Sequence, residues 1–464
     1  MFELGTKIGV FAQKAPAAVL VRTVLQRDLN PERMDTLFHN TAEEQYERTL
    51  LFSTVMMLMT EVILKSAPSF HRACLLHKED IPVSISALYN KVNGLETGIS
   101  RELVRDSFKN LAPVVAQLKA THPPLLPGFR TFMLDGNHFA ATERRLKELR
   151  TQTAAPLPGH ALALYDQEYG MVCDVIPCED GHAQERTLLG PILDQIRSKD
   201  CIIGDRNFCV LSFMSGIVKR GGSFVIRHHG QLKCWKTVTQ QKSVGSTETG
   251  DVYEQHVVVE QKKTGIVLKL RRITVKLKSK TRDGDSEIHI LTNLTWQEAT
   301  AIKVSELYRK RWQIEGLFQD LTQSLQCEID TLAYPRAAVF AFCLAVKAYN
   351  AVSLVRAALR SEWGEEQVQE LSWYHLCSET ATVWGGMVIA VESREWGRLI
   401  DGLSLSSYCD LLRELARRMN ISKYKKSRRG PKVPTVRKNG DSTHVSTAKV
   451  LAERNAEKQR VRKQ

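Results

Sequence analysis

Apolar residues recur at spacings of three and four through the first part of the chain, around 20–25 and 50–64, with no strand-like alternation. This pattern predicts a helical N-terminal domain over 1–125, a candidate DNA-binding region. Within it, 84–94 predicts a helix ending at a glycine and 100–105 the start of another, a candidate helix-turn-helix. The apolar run 49–64 is too short to span a bilayer and contains Glu61, which predicts a buried core helix and no membrane association. His122-Pro-Pro-Leu-Leu-Pro127 is a stiff break suited to a domain boundary.

The texture then changes. A strand is predicted over 129–134, ending in Asp135-Gly-Asn. A hairpin is predicted from 160–165 and 171–176, followed by an amphipathic helix over 185–197. A short buried strand at 201–204 also ends in an aspartate, Asp205. A helix over 208–219 and a strand over 223–227 follow. This order is the pattern of an RNase H-like α/β domain, placed at 126–360. From 228 to 293 the chain reads as a β-rich, basic insertion. A single long helix is predicted over 297–325, carrying Glu315, with further helices at 334–360 and 395–419. The helical region 361–421 then leads to a tail, 422–464, with almost no apolar content and several Gly and Pro residues, which predicts disorder.

Charge adds a partner to this picture. The net charge is +14, and it is concentrated. Residues 422–464 carry 14 Lys/Arg against 3 Asp/Glu, and residues 219–282 carry 15 against 4. Each block is +11, which leaves the remainder at −8. Two basic blocks on a slightly acidic body point to a long polyanion contacted at two places. The first residues show no charged and apolar leader pattern, and the ten cysteines form no disulfide framework, so a cytoplasmic setting is expected. Cys173, Cys178 and His182 lack a second pair at finger spacing and read as core or loop residues rather than a zinc site. Gly245-Ser-Thr-Glu-Thr-Gly250 is followed by Asp251 rather than Lys, so no nucleotide-binding loop is expected.

The chemistry rests on three carboxylates. Asp135 and Asp205 each follow a short apolar strand, where open α/β sheets bind ligands. Neighbouring carboxylates at strand ends need a cation to ionise together, and magnesium or manganese, hard ions that prefer oxygen, would serve. Two such ions would clamp the oxygens of an in-line phosphoryl transfer. On the later helix, Tyr308, Arg311 and Glu315 share one face. An ordinary surface pair would put Glu before Arg, the more favourable order. A metal-binding carboxylate one turn from a guanidinium suits a phosphate lying between them. Arg309 and Lys310 are further candidate phosphate contacts.

The segment Leu307-Tyr-Arg-Lys-Arg-Trp-Gln-Ile-Glu315 resembles the Tyr-x2-Arg-x3-Glu-x6-Lys signature of DDE transposases of the insertion-sequence-four group. Asp135 in Leu-Asp-Gly-Asn and Asp205 in Gly-Asp-Arg-Asn-Phe are similar to that family's first two catalytic aspartates. The resemblance covers roughly 125–350. It implies metal-dependent cutting of transposon ends and joining to target DNA, with terminal inverted repeats and target duplex as partners and a homodimer as the working unit. It also implies that an aromatic of the insertion receives a flipped base, for which Trp235, His289 and Trp296 are candidates. The sequence departs from the signature at Thr322, where the family has lysine. Three alternatives stay open: a nuclease of the same fold without strand transfer, an inactive copy that binds DNA, and an RNA-associated basic protein.

Overall fold

A computed structural model describes residues 4–232, 235–261, 265–281, 284–427 and 444–463. Its centre is a ten-stranded mixed sheet. The first five strands are β1 (Arg130–His138), β2 (His160–Asp166), β3 (Met171–Cys178), β4 (Asp200–Gly204) and β5 (Ser223–Arg227). They lie side by side in the order β3-β2-β1-β4-β5. The first three are antiparallel, and β4 and β5 run parallel to β1. This is the RNase H-like arrangement, and the expected hairpin joins β2 to β3, closed at Gly170 with φ 68°.

The insertion extends this sheet. Its strands are β6 (Trp235–Thr237), β7 (Lys242–Ser246), β8 (Gly250–Gln261), β9 (Ile266–Leu277) and β10 (Glu287–Thr292). Antiparallel pairing of β10 with β5 joins the two halves, and β9, β8 and β6 follow outward, with β7 also on β8. The expected β-rich segment is thus continuous with the first five strands.

Helices cover the sheet. Those used below are α1 (Pro16–Asp28), α2 (Phe52–Ile63), α3 (Thr97–Gln117), α4 (Leu211–Lys219), α5 (Ala301–Lys310), α6 (Trp312–Ser324), α7 (Pro335–Trp363), α8 (Trp373–Ala390) and α9 (Leu405–Arg417). α7 is the axis of the helical layer. Its alanines let neighbours approach closely, and α1, α2, α3 and α9 all pack on it. It is the one described helix long and apolar enough to cross a membrane, and its apolar window is wholly buried inside the protein. It is therefore a core helix, and it exceeds the run at 49–64 in length. One hydrophobic cluster runs from Ile8 and Leu20 through Met133 and Val175 to Leu344 and Leu412. The N-terminal helices, one face of the sheet and the C-terminal helices share this core.

Four expectations need correction. The candidate helix-turn-helix is two helices, Ile85–Gly94 and α3, but α3 buries Ile99, Leu103, Val104 and Leu111 against β3 and α7. The amphipathic helix expected over 185–197 is a 3-10 turn, Glu185–Leu188, and one short turn, Gly190–Leu193. Gly190 and Pro191 interrupt it, the one by backbone freedom and the other by lacking an N–H. The helix expected over 297–325 begins only at Ala301, where the Thr300 side chain accepts from Lys303 N, and it breaks at Arg311. The tail is not disordered throughout. His444–Ser446 pairs with Ala155–Leu157 and leads into a helix, Thr447–Lys463. Val450 is buried beside Leu146, Leu149 and Ala333, an anchor too sparse to register in composition. The part of the tail at 428–443 lies outside the described residues.

Candidate active site

Strand register places the two aspartates together. Leu134 of β1 lies opposite Gly204 of β4, the last pair of that parallel ladder. The next residue on each strand is Asp135 and Asp205. Asp205 leaves the sheet as the cap of a 3-10 turn, its Oδ1 accepting from Asn207 N at 2.7 Å. Asp135 does not end its strand, as the sequence pattern suggested. β1 continues to His138 on the β2 side alone, which opens its other edge just where Asp135 projects.

The junction of α5 and α6 faces this edge. Arg311 keeps helical dihedrals but hydrogen-bonds one residue tighter, Arg311 N to Tyr308 O and Ile314 N to Arg311 O, each at 3.1 Å. The kink turns its side chain inward, where it is only 9% exposed. One guanidinium nitrogen donates to Asp135 Oδ2 at 2.8 Å and another to Glu315 Oε1 at 2.7 Å. Arg311 therefore links the β1 aspartate to the helix glutamate. Its Nε is buried without a hydrogen-bond partner. The Tyr308 ring is buried beside it and feels the charges of Arg311, Arg227 and Asp205.

Electrostatics follow from the burial. Desolvation pushes the Asp135 carboxyl up to about 7; Arg311 opposes the rise, and the charges of Asp205 and Glu185 add to it. Burial works against the Arg311 charge, but Asp135, Tyr308 and Glu315 outweigh it and hold the guanidinium above its ordinary value. Desolvation also raises the Tyr308 hydroxyl.

Five of the expected residues thus converge: Asp135, Asp205, Tyr308, Arg311 and Glu315. Two do not. Arg309 points to the insertion and pairs with exposed Glu248 at 2.8 Å. Lys310 is exposed and carries no contact to the carboxylates. Thr322, two turns beyond Glu315, is exposed and its hydroxyl bonds back to Phe318 O at 2.9 Å. Lys65 Nζ reaches the neighbouring Gln323 O at 2.8 Å.

Among the candidate stacking aromatics, Trp235 packs on Arg272 and His228, and His289 bonds Thr274 Oγ1 at 3.0 Å. Trp296 is 66% exposed. Trp312 was not singled out in the sequence, yet it follows Arg311 directly and is 68% exposed. Its adjacency to the motif was the available signal. Glu185 was also missed, having been read as a helix residue.

No group of three His, Cys, Asp or Glu side chains stands at metal-holding geometry among the described residues, and Arg311 pairs with both Asp135 and Glu315. The donor set nevertheless fits a hard cation. It is all oxygen, and Asp135 is a buried carboxylate beside two others, a crowding that a divalent ion relieves. Cys173 and Cys178 instead donate to the carbonyls of Leu164 and Asp180.

Residues 134–351 match the family described as the transposase DDE domain. The matched span contains Asp135, Asp205, Tyr308, Arg311 and Glu315, together with the whole insertion. The match spans just under half of the chain and is a likeness to that domain. No curated protein matches the chain.

Proposed function

We propose that the chain is a DNA transposase of the insertion-sequence-four type that cuts transposon ends and joins them to target DNA, with Asp135, Asp205 and Glu315 as its catalytic carboxylates. The observation that carries the reading is the Arg311 bridge. Residues 176 positions apart in sequence, Asp135 and Arg311, meet at 2.8 Å beside the paired strand ends. A buried Arg between two carboxylates is costly unless the arrangement is used.

Both reactions are in-line displacements at phosphorus. In cleavage, water attacks, the phosphorus–3′-oxygen bond breaks, and the departing oxygen takes up a proton. In transfer, that 3′-hydroxyl attacks a second phosphodiester, forming one bond and releasing another 3′-hydroxyl. Bonds are exchanged one for one, so no nucleotide cofactor is required. DDE transposases generally use divalent metal ions, and magnesium or manganese held by Asp135, Asp205 and Glu315 would supply the charge that stabilises the attacking and leaving oxygens. The protein's own part is positioning. Arg311 would exchange a carboxylate for a phosphate oxygen, its unpaired Nε offering a further donor. Tyr308 holds the guanidinium from behind, and exposed Trp312 offers a face on which an unstacked base could rest. The basic insertion runs alongside as a duplex contact, and a homodimer across paired ends is the expected unit.

Asp135→Asn, Asp205→Asn and Glu315→Gln should each reduce nicking of a plasmid carrying matched inverted repeats by at least about 100-fold. Binding to an end duplex should persist. Wild-type nicking by any one of the three removes that residue from the site. Cut ends that never appear joined to target would instead favour a nuclease of the same fold.

A further inference from the structure

We propose that Glu185 is a fourth carboxylate of this centre and an oxygen ligand, with Asp135 and Asp205, for the divalent cation. The proposal rests on the transposase reading above and adds a residue to its site.

Glu185 opens the 3-10 turn after β3, and its two oxygens lie at Gly136 of β1 and at Asn207 beyond β4. Oε1 fills the space that a Cβ on Gly136 would occupy, directly after Asp135. Oε2 accepts from Asn207 Nδ2 at 3.2 Å, and Asn207 N is the group that caps Asp205. Glycine at 136 is thus what lets this carboxylate lie against the β1 backbone. Among the described residues neither Glu185 nor Asp205 makes an ion pair, whereas Arg311 neutralises Asp135 and Glu315. Glu185 stands beside Asp205 with His138 as the opposing charge on it, and the two carboxylates bring negative charge to the space between β1 and β4. Two adjacent carboxylates attract a hard cation.

A purely structural role for Glu185, latching Asn207, makes a different prediction. Glu185→Gln keeps the shape and an oxygen that can accept from Asn207, and removes only the charge. Asn207→Ala removes the latch and keeps the charge. Manganese binding to the full chain, followed by calorimetry, separates the two. Glu185→Gln should weaken Mn2+ binding by at least about 10-fold with an unchanged melting temperature. Glu185→Asp should recover part of the affinity, and Asn207→Ala should retain most of it. Wild-type Mn2+ affinity in Glu185→Gln, with affinity lost in Asp135→Asn, would overturn the proposal and leave the three-carboxylate reading intact. Unchanged affinity in both variants would overturn the metal site itself.

Discussion

Burial raises the Asp135 carboxyl to about 7, whereas an unfolded aspartate titrates near 3.9. Between those values the unfolded chain releases a proton that the folded chain keeps, so this group's contribution to stability falls as pH rises and is level above the folded value. A displacement of that size has a ceiling of about 4 kcal/mol. Asp135→Asn escapes this cost but forfeits its ion pair with Arg311. We expect the metal-free variant to match the wild type near pH 4 and to exceed it by about 1–2 kcal/mol at pH 8 in urea melts. Magnesium should then lift the wild type alone. A gap that ignores pH would refute burial as the cause. These residues were legible because their cues are local: an aspartate after an apolar strand, and an arginine and a glutamate at helical spacing. Glu185 carries no such cue, since its role depends on a contact across the sheet edge to Gly136 and Asn207.

At the scale of elements, the junction of α5 and α6 decides where Arg311 points. Periodicity was continuous through 301–324, so a single helix was the natural expectation, and nothing in the apolar pattern marks the tighter turn at Arg311. Gly316, next to Glu315, adds a second weak point. It sits at an exposed position of α6, and a Cβ there would meet nothing within 4 Å. Gly316→Ala should therefore stabilise the protein by about 0.5–1 kcal/mol through helix preference alone. An unchanged or lowered denaturation midpoint would mean that α6 is strained in a way its dihedrals do not reveal. The strands were more legible than this helix. A period of two and short apolar runs located β2 to β5, but the continuation of β1 past Asp135 depends on pairing with β2, a partner the local sequence does not name.

For the whole molecule, the N-terminal helices are bound into the same core as the central sheet, and a buried charge network ties them there. Lys347 of α7 is fully buried, with its Nζ 3.2 Å from Asp28 and 3.1 Å from Asp106, and Arg33 completes the group. Lys347→Met would strand these carboxylates and should cost about 3–5 kcal/mol, read as a cooperative loss in a denaturant melt. The basic tail is the opposite case, a segment joined to the body by few contacts. Its helix is pinned by Val450 and by exposed ion pairs, Lys449 with Asp180 and Lys458 with Glu148, which are worth little singly. Composition could not show the docking, because one buried valine is enough to seat it. Removing 428–464 should leave the central fold intact, since the shared core ends at Tyr424. Its effect should appear in DNA binding. Each neutralised phosphate adds about −0.9 to the slope of log affinity against log salt. Residues 428–464 carry 11 Lys/Arg against 3 Asp/Glu, and engagement of half that net +8 would make the slope of a 1–427 truncation shallower by roughly 3–4 on random duplex. End-specific binding would weaken but survive through the insertion. Ion pairs with Glu148 and Asp180 hold some of the tail's charge in the absence of DNA, so a smaller change would mean that those pairs persist in the complex. Identical slopes for the two proteins would remove the tail as a DNA contact and leave 219–282 as the main electrostatic surface.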